Sequence, residues 1–305
     1  MVGSHFPGAP KKAKGLAIKS HAKVNLYLEV LNKRNDNYHN IRTLFERIDL
    51  CDEIILTPLE SREISVSCDN PALPVDQRNL AYRAAQLLQD KFRVKTGVKI
   101  VIRKRIPLGS GLGGGSSNAA STLLGLNKLW GLKLSRAALV DLARKLGADV
   151  PFFIYGVPFA LGLEKGDKII PVKPLCREKI RFWHVLAVAK IHVSTPLIYQ
   201  KWDTYSNLTR PAFDVKLLIS ALRKKSPFTR GDYLFNSLEP VTEKLYPKVR
   251  RIKKILNDYG LKSVLMSGSG PAVFGFVPSR KEAVSLCIRL KKKYRSSQLY
   301  ITRTI

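Results

Sequence analysis

Apolar and polar residues alternate near the start of the chain, from Leu16 to Leu31, with Ala17, Ile18, Ala22, Val24, Leu26, Leu28 and Val30 on the apolar positions. This pattern predicts one long strand or a bent pair of strands. Turn residues from Asn32 to Asn37 follow, then a strand from Ile41 to Leu50. Glu53 to Pro58 and Arg62 to Cys68 read as a hairpin, and Asn70 to Asp76 as a loop. At Asn79 the spacing turns helical, with Leu80, Ala84, Leu87 and Leu88 on one face and Asn79 as the cap. Val98 to Ile106 returns to strand. Asn118 to Trp130 is expected to be a helix, and Arg136 to Leu146 another, capped by Ser135 and stopped at Gly147. The apolar run from Pro151 to Tyr155 reads as a strand, and Phe159 to Leu163 with Lys168 to Val172 as a hairpin.

The second half opens with a strand from His184 to Val193 and a helix-like stretch from Thr195 to Trp202. Helices over Val215 to Ala221 and Leu245 to Tyr259 flank a linker that contains Asn236. A strand from Ser263 to Met266, a strand from Ala272 to Val277, a helix from Arg280 to Arg295 and a strand from Gln298 to Thr302 complete it. A length of 305 residues is enough for two domains. The expected division is a flexible tail over residues 1–15, one domain over 16–172 and a second over 173–305.

Composition changes this picture little. A hydrophobic content of 45% fits a soluble globular protein. The net charge of +30 is compatible with a polyanionic partner, a phosphorylated substrate or a lysine-rich proteome. The lysine-rich stretches Val249 to Leu256 and Arg280 to Arg295 read most simply as solvated helix faces, with a nucleic-acid footprint as the rival reading. Cys51, Cys68, Cys176 and Cys287 lie far apart, which fits a cytoplasmic protein without zinc or a disulfide framework. No apolar run approaches a membrane span of about 20 residues.

The candidate chemistry centres on Pro107-Leu108-Gly109-Ser110-Gly111-Leu112-Gly113-Gly114-Gly115-Ser116-Ser117. A glycine-rich loop opening into a helix N-terminus offers free N–H groups and the positive end of the helix dipole, and so predicts a phosphate cradle. Gly109, Gly111 and Gly114 match a dinucleotide fingerprint, but no acidic residue stands at the ribose offset. The P-loop lysine, the protein-kinase triplets and the acyl-transfer elbow are all missing.

The remaining form resembles the phosphate loop of the GHMP kinase superfamily. Ala22-Lys23-Val24-Asn25, Asn37-Tyr38-His39, Leu146-Gly147-Ala148-Asp149-Val150-Pro151 and Ser267-Gly268-Ser269-Gly270 are similar to further motifs of one of its branches. That branch phosphorylates 4-diphosphocytidyl-2-C-methylerythritol, a cytidine diphosphate sugar-alcohol of the non-mevalonate isoprenoid pathway. Asn37 stands where the branch usually carries glycine, and asparagine tolerates the same left-handed turn.

The resemblance implies an α+β fold, with an N-terminal domain like the second domain of ribosomal protein S5, a ferredoxin-like C-terminal domain, and the active site between them. It implies ATP and Mg²⁺ as cofactors, with no metal ligands specified, and a protein that is a monomer or homodimer with no membrane partner. Pro107 to Ser117 would hold ATP. Asp149 would be the general base, where otherwise it is equally a helix-end residue, and Lys23 its partner, where otherwise it is a solvent-facing strand lysine. Asn25, Tyr38, His39, Thr195, Tyr199, Gly268 and Gly270 would form the substrate site. Tyr38 and Tyr199 would sandwich the cytosine and His39 would read its edge, against ordinary packing and a surface histidine. Ser116 and Ser117 read as helix caps, to which the resemblance adds contacts to phosphate or Mg²⁺. The rivals are another small-molecule kinase of the superfamily, for homoserine or mevalonate, and a basic RNA-binding protein of S5-like fold.

Overall fold

The computed structural model describes residues 15–173, 181–205, 211, 213–223, 233–293 and 297–305. All but residue 15 of the expected tail therefore lies outside the described residues.

Strand β1 (Leu16–Lys33) runs unbroken and pairs antiparallel with β2 (His39–Leu59). The register shifts between His21 and Lys23 and again between Asn25 and Tyr27. Such irregularities re-aim side chains, and these two bracket Lys23 and Asn25. β2 is one strand where two were expected. β3 (Ile64–Cys68) does not fold back on it as a hairpin. It pairs parallel with β4 (Gly97–Arg103), which inserts between β3 and β2. The reason lies in burial. Val98, Ile100 and Ile102 of β4 are fully buried and need neighbours on both sides, whereas β3 is only half-buried and takes the sheet edge. Helix α1 (Leu80–Lys91) makes the crossover, with the Asn79 side chain accepting from Ala81 N at 2.9 Å.

Helix α2 (Gly114–Leu129) begins four residues before the expected Asn118, so two glycines of the loop form its first turn. At Gly125 a Cβ would stand 2.4 Å from Leu56 and 2.5 Å from Ile18, so α2 lies tight against the sheet. α3 (Arg136–Arg144) starts where expected, with Ser135 accepting from Ala138 N. The run after Asp149 is helix α4 (Val150–Tyr155), not a strand. Proline is tolerated in a first helical turn, and Val150 to Ile154 are all buried, so their apolar run carried no period to read. β5 (Phe159–Leu163) and β6 (Lys168–Pro171) form the expected hairpin, with β5 on the other part of β2.

In the second half, β7 (Trp183–Ala189), α5 (Thr195–Tyr205) and α6 (Val215–Arg223) precede a short β8 (Phe235–Asn236), which returns to pair parallel with β1. The expected helix from Leu245 to Tyr259 is two, α7 (Glu239–Leu245) and α8 (Pro247–Asp258), broken at Tyr246 ahead of Pro247. β9 (Lys262–Met266), β10 (Ala272–Val277), α9 (Arg280–Lys293) and β11 (Ser297–Arg303) follow. The second sheet has the order β11-β7-β10-β9, antiparallel throughout. With helices between β7 and β9 and between β10 and β11, this is the ferredoxin-like arrangement.

One core lies between the first sheet and α1 to α4. Another joins the two sheets, where Val24, Leu26 and Leu44 meet Leu186, Val188 and Phe274. The last residues lock the halves together: Thr304 donates to the buried Glu46 carboxylate, and Asp49 accepts from Thr302 Oγ1 and Arg303 N.

Candidate active site

Between the halves lies a cavity of about 620 Å³. Its wall includes Lys23 and Asn25 from β1, Gly111, Gly113 and Ser116 from the glycine loop, Asp149 before α4, and Thr195 and Tyr199 from α5. Tyr38, His39 and Gly268 complete the set of expected residues that face it.

The glycine loop is shaped as an anion cradle. Gly113 caps α2 in the left-handed conformation at φ +70°, and no side chain hydrogen-bonds the helix terminus. Ser116 and Ser117 are therefore not caps. A Cβ at Gly113 would stand 3.1 Å from both Lys23 and Phe153, so glycine lets the loop close onto the lysine. Gly113 and Ser116 bring the N-terminal end of the helix, with the positive end of its dipole, to the cavity wall.

Other loop residues serve the scaffold. Ser110 Oγ donates to Pro107 O, and Leu112 is buried in the core between the sheets. Ser117 Oγ accepts from Ser20 at 2.8 Å, away from the cavity wall. Pro107, Leu108, Gly109, Gly114, Gly115 and Gly270 also fall outside the cavity lining. The stem of the loop is held by a fully buried pair, Lys104 Nζ to Asp52 Oδ2 at 2.7 Å. Asp52 Oδ1 also accepts from Arg105 N and Ile106 N, and burial pulls the Lys104 pKa down.

Lys23 Nζ lies 3.4 Å from Asp149 Oδ2 and donates to Asn25 Oδ1 at 2.7 Å. Asn25 Nδ2 donates in turn to Thr43 Oγ1, which orients the amide so that its oxygen faces the lysine. Ser267 Oγ accepts from Asn25 N and donates to Gly111 O at 3.1 Å, tying the C-terminal glycine turn to both β1 and the first glycine loop. A Cβ at Gly111 would stand 2.3 Å from Ser267 O. Asn236 Nδ2 holds the same turn through Met266 O and Gly268 O. Thr195 Oγ1 pairs with Ser269 Oγ at 2.7 Å.

At the other end of the cavity Asn37 adopts φ +63°, the left-handed turn expected of it. Tyr38 is 56% exposed with Lys165 Nζ 5.0 Å from its ring centre. His39 stacks on Tyr199 with centroids 5.2 Å apart, and its Nε2 lies 2.6 Å from Asp203 Oδ1. Burial, and then the Asp149 carboxylate, push the Tyr199 pKa up, so the phenol stays neutral.

Sequence reasoning does not find Asp203, Lys33 or Lys165, and it reaches Ser267 only as the first residue of the C-terminal glycine motif. One signal for Asp203 was available: it lies four residues after Tyr199 on a helix and so shares its face. No group of three or more His, Cys, Asp or Glu gathers at metal-binding distance among the described residues. Among the described residues no helix is long and apolar enough to cross a membrane.

The glycine cradle, the lysine–carboxylate pair and the two-sheet architecture define a class. Residues 79–157 match the family described as GHMP kinases N terminal domain, and residues 218–296 the family GHMP kinases C terminal. A 4-diphosphocytidyl-2-C-methyl-D-erythritol kinase from Bacillus velezensis is 46% identical over 85% of this chain and 87% of its own length. That of Caldicellulosiruptor saccharolyticus is 40% identical over 90% and 93%. A crystal structure of 4-(cytidine 5'-diphospho)-2C-methyl-D-erythritol kinase, 32% identical, superposes with a TM-score of 0.76 over 95% of this chain and 100% of that one. The chain belongs to the 4-diphosphocytidyl-2-C-methyl-D-erythritol kinase family of the GHMP kinases.

Proposed function

We propose that the protein transfers the γ-phosphoryl group of ATP to the 2-hydroxyl of 4-diphosphocytidyl-2-C-methyl-D-erythritol, with Asp149 as general base and Lys23 as its partner. The observation that carries the reading is the placement of Lys23 Nζ 3.4 Å from Asp149 Oδ2 in the wall of a cavity that Gly111 and Gly113 also line. Asp149 takes the hydroxyl proton as the oxygen attacks the γ-phosphorus and the bond to the β-phosphate oxygen breaks, releasing ADP. Lys23 positions the carboxylate and offsets charge on the transferring group. The α2 terminus holds phosphate oxygens, and most of the acceleration comes from positioning and electrostatics.

Mg²⁺ fits this donor set: Mg²⁺ keeps waters and phosphate oxygens and takes one or two protein oxygens. Ser116, in the cavity wall beside the glycine loop, would offer it a hydroxyl oxygen, with phosphate oxygens and water supplying the rest. The ion would neutralise charge on the phosphates. Tyr38, Tyr199 and His39 hold the cytosine, and Asn25, Thr195 and Gly268 the rest of the acceptor, with Gly270 shaping that turn. In this reading residues 16–172 carry the nucleotide and residues 173–305 close the acceptor site. A cytoplasmic location agrees with Cys51, Cys68 and Cys287 being free thiols.

The test is ADP release with three acceptors: 4-diphosphocytidyl-2-C-methyl-D-erythritol, mevalonate and homoserine. Turnover is expected with the cytidine substrate alone. Preference for either of the others would overturn the reading.

A further inference from the structure

At the far end of the cavity His39, Asp203 and Lys33 form a chain that the proton transfer does not use. Lys33 ends β1 and His39 begins β2, where they are cross-strand partners. Asp203 comes from α5 in the other half of the molecule. Its Oδ1 lies 2.6 Å from His39 Nε2 and its Oδ2 2.9 Å from Lys33 Nζ. Burial works against the Asp203 carboxylate, but the hydrogen bonds from His39 and Lys33 outweigh it and hold the pKa below the ordinary range.

An ionised carboxylate can only accept, so His39 Nε2 must carry a hydrogen. In the neutral ring Nδ1 is then a bare acceptor. Nδ1 has no hydrogen-bond partner among the described residues, and the ring, 4% exposed, forms part of the cavity wall. Stacking on Tyr199 fixes its plane.

We infer that Asp203 is a specificity-determining positioning residue: by accepting from His39 Nε2 it presents Nδ1 as an acceptor to the exocyclic amine of cytosine and sets it against the 4-oxo group of uracil. This rests on the cytidine substrate proposed above. Lys33 sharpens the device, because its ammonium requires an oxygen at Oδ2. In Asp203→Asn that requirement leaves the amide NH₂ facing His39. The imidazole must then accept at Nε2 and carry its hydrogen on Nδ1, the pattern that suits uracil.

The test compares kcat and KM at pH 8 for the cytidine substrate and its uridine counterpart. The parent is expected to prefer the cytidine compound by roughly 10²-fold, the scale of one well-matched base contact. In Asp203→Asn that preference should fall at least tenfold, with the loss in KM rather than kcat. A parent without base preference, or a variant that keeps the parental ratio, would overturn the inference and leave the kinase reading standing. A parent inactive on both compounds would overturn both. Nitrogen-15 NMR of the parental protein, with the His39 signal assigned from His39→Gln, reads the tautomer even where Asp203→Asn fails to fold. Hydrogen on Nδ1 there would also overturn it.

Discussion

Lys23 and Asp149 are an unequal pair: the lysine side chain is 4% exposed, whereas the aspartate side chain is 33% exposed at its partner's tip. The cation is locked by Asn25 and the glycine loop while the carboxylate remains open to the cavity. Lys23→Met and Asp149→Asn should each lower kcat by about 10²-fold or more. Because the two act as one unit, the double variant should lose little beyond the worse single one. Near-parental ADP release in either single variant would remove the pair from the chemistry.

Tyr199 supplies a ring already aligned with His39. Removing it in Tyr199→Ala should raise KM for the cytidine substrate tenfold or more, since a base–aromatic stack is worth about 1–3 kcal/mol. Tyr199→Phe keeps the ring and should stay near parental. An unchanged KM in the alanine variant would take Tyr199 out of the substrate site.

Gly109 and Gly111 share left-handed backbone, at φ +58° and +77°, yet their surroundings differ. A Cβ at Gly109 meets only His192, at 3.4 Å, whereas one at Gly111 meets Ser267 O at 2.3 Å. Both alanine variants carry a left-handed cost of about 1–2 kcal/mol. Gly111→Ala should lose more, because it also pushes the two loops apart. Urea unfolding of both variants measures the difference, and equal midpoints would contradict it.

The loop stem depends on a buried charge pair, Lys104 and Asp52. Lys104→Met strands a buried carboxylate and should cost about 3–5 kcal/mol of stability. It should also raise KM for ATP, because Asp52 holds the backbone that leads into Pro107. A loss below about 1 kcal/mol in denaturant titration would show that the pair is not the anchor described.

His21 gives a pH signature of its own. Burial first, and then Arg47, push its pKa down to about 4, against a weaker opposing pull from Asp49. The unfolded chain takes up this proton near pH 6.5, and the folded one only near 4. Its contribution is therefore complete above pH 6.5 and is lost as pH falls through that interval. Thermal unfolding at pH 7.5 and pH 5 should show a smaller drop in Tm for His21→Gln than for the parent. An identical drop would contradict the burial of a neutral ring.

Sequence pattern revealed what neighbours in the chain decide. The Asn79 and Ser135 caps, the β5–β6 hairpin and the left-handed Asn37 all stand where local chemistry places them. The parallel pairing of β3 was hidden because a strand inserted from beyond a helix decides it. Helix α4 was hidden because a run buried on every side shows no period. Lys23 and Asp149 could be paired through a resemblance between separate motifs. Asp203 and Ser267 could not, since their partners lie 164 and 242 residues away and only the folded chain brings them close.

The contact between Thr304 and Glu46 bears on how the protein is made. Glu46 is on the central part of β2, fully buried, and its hydroxyl donor is 258 residues further on. On the ribosome the first sheet can form before either partner of that carboxylate exists: His184, whose Nε2 lies 3.2 Å from Glu46 Oε2, arrives first and the Thr304 hydroxyl last. An unmatched buried carboxylate destabilises whatever encloses it. The N-terminal half should therefore remain protease-sensitive until β7 brings His184 to this carboxylate, and reach full resistance when the last strand adds Thr304.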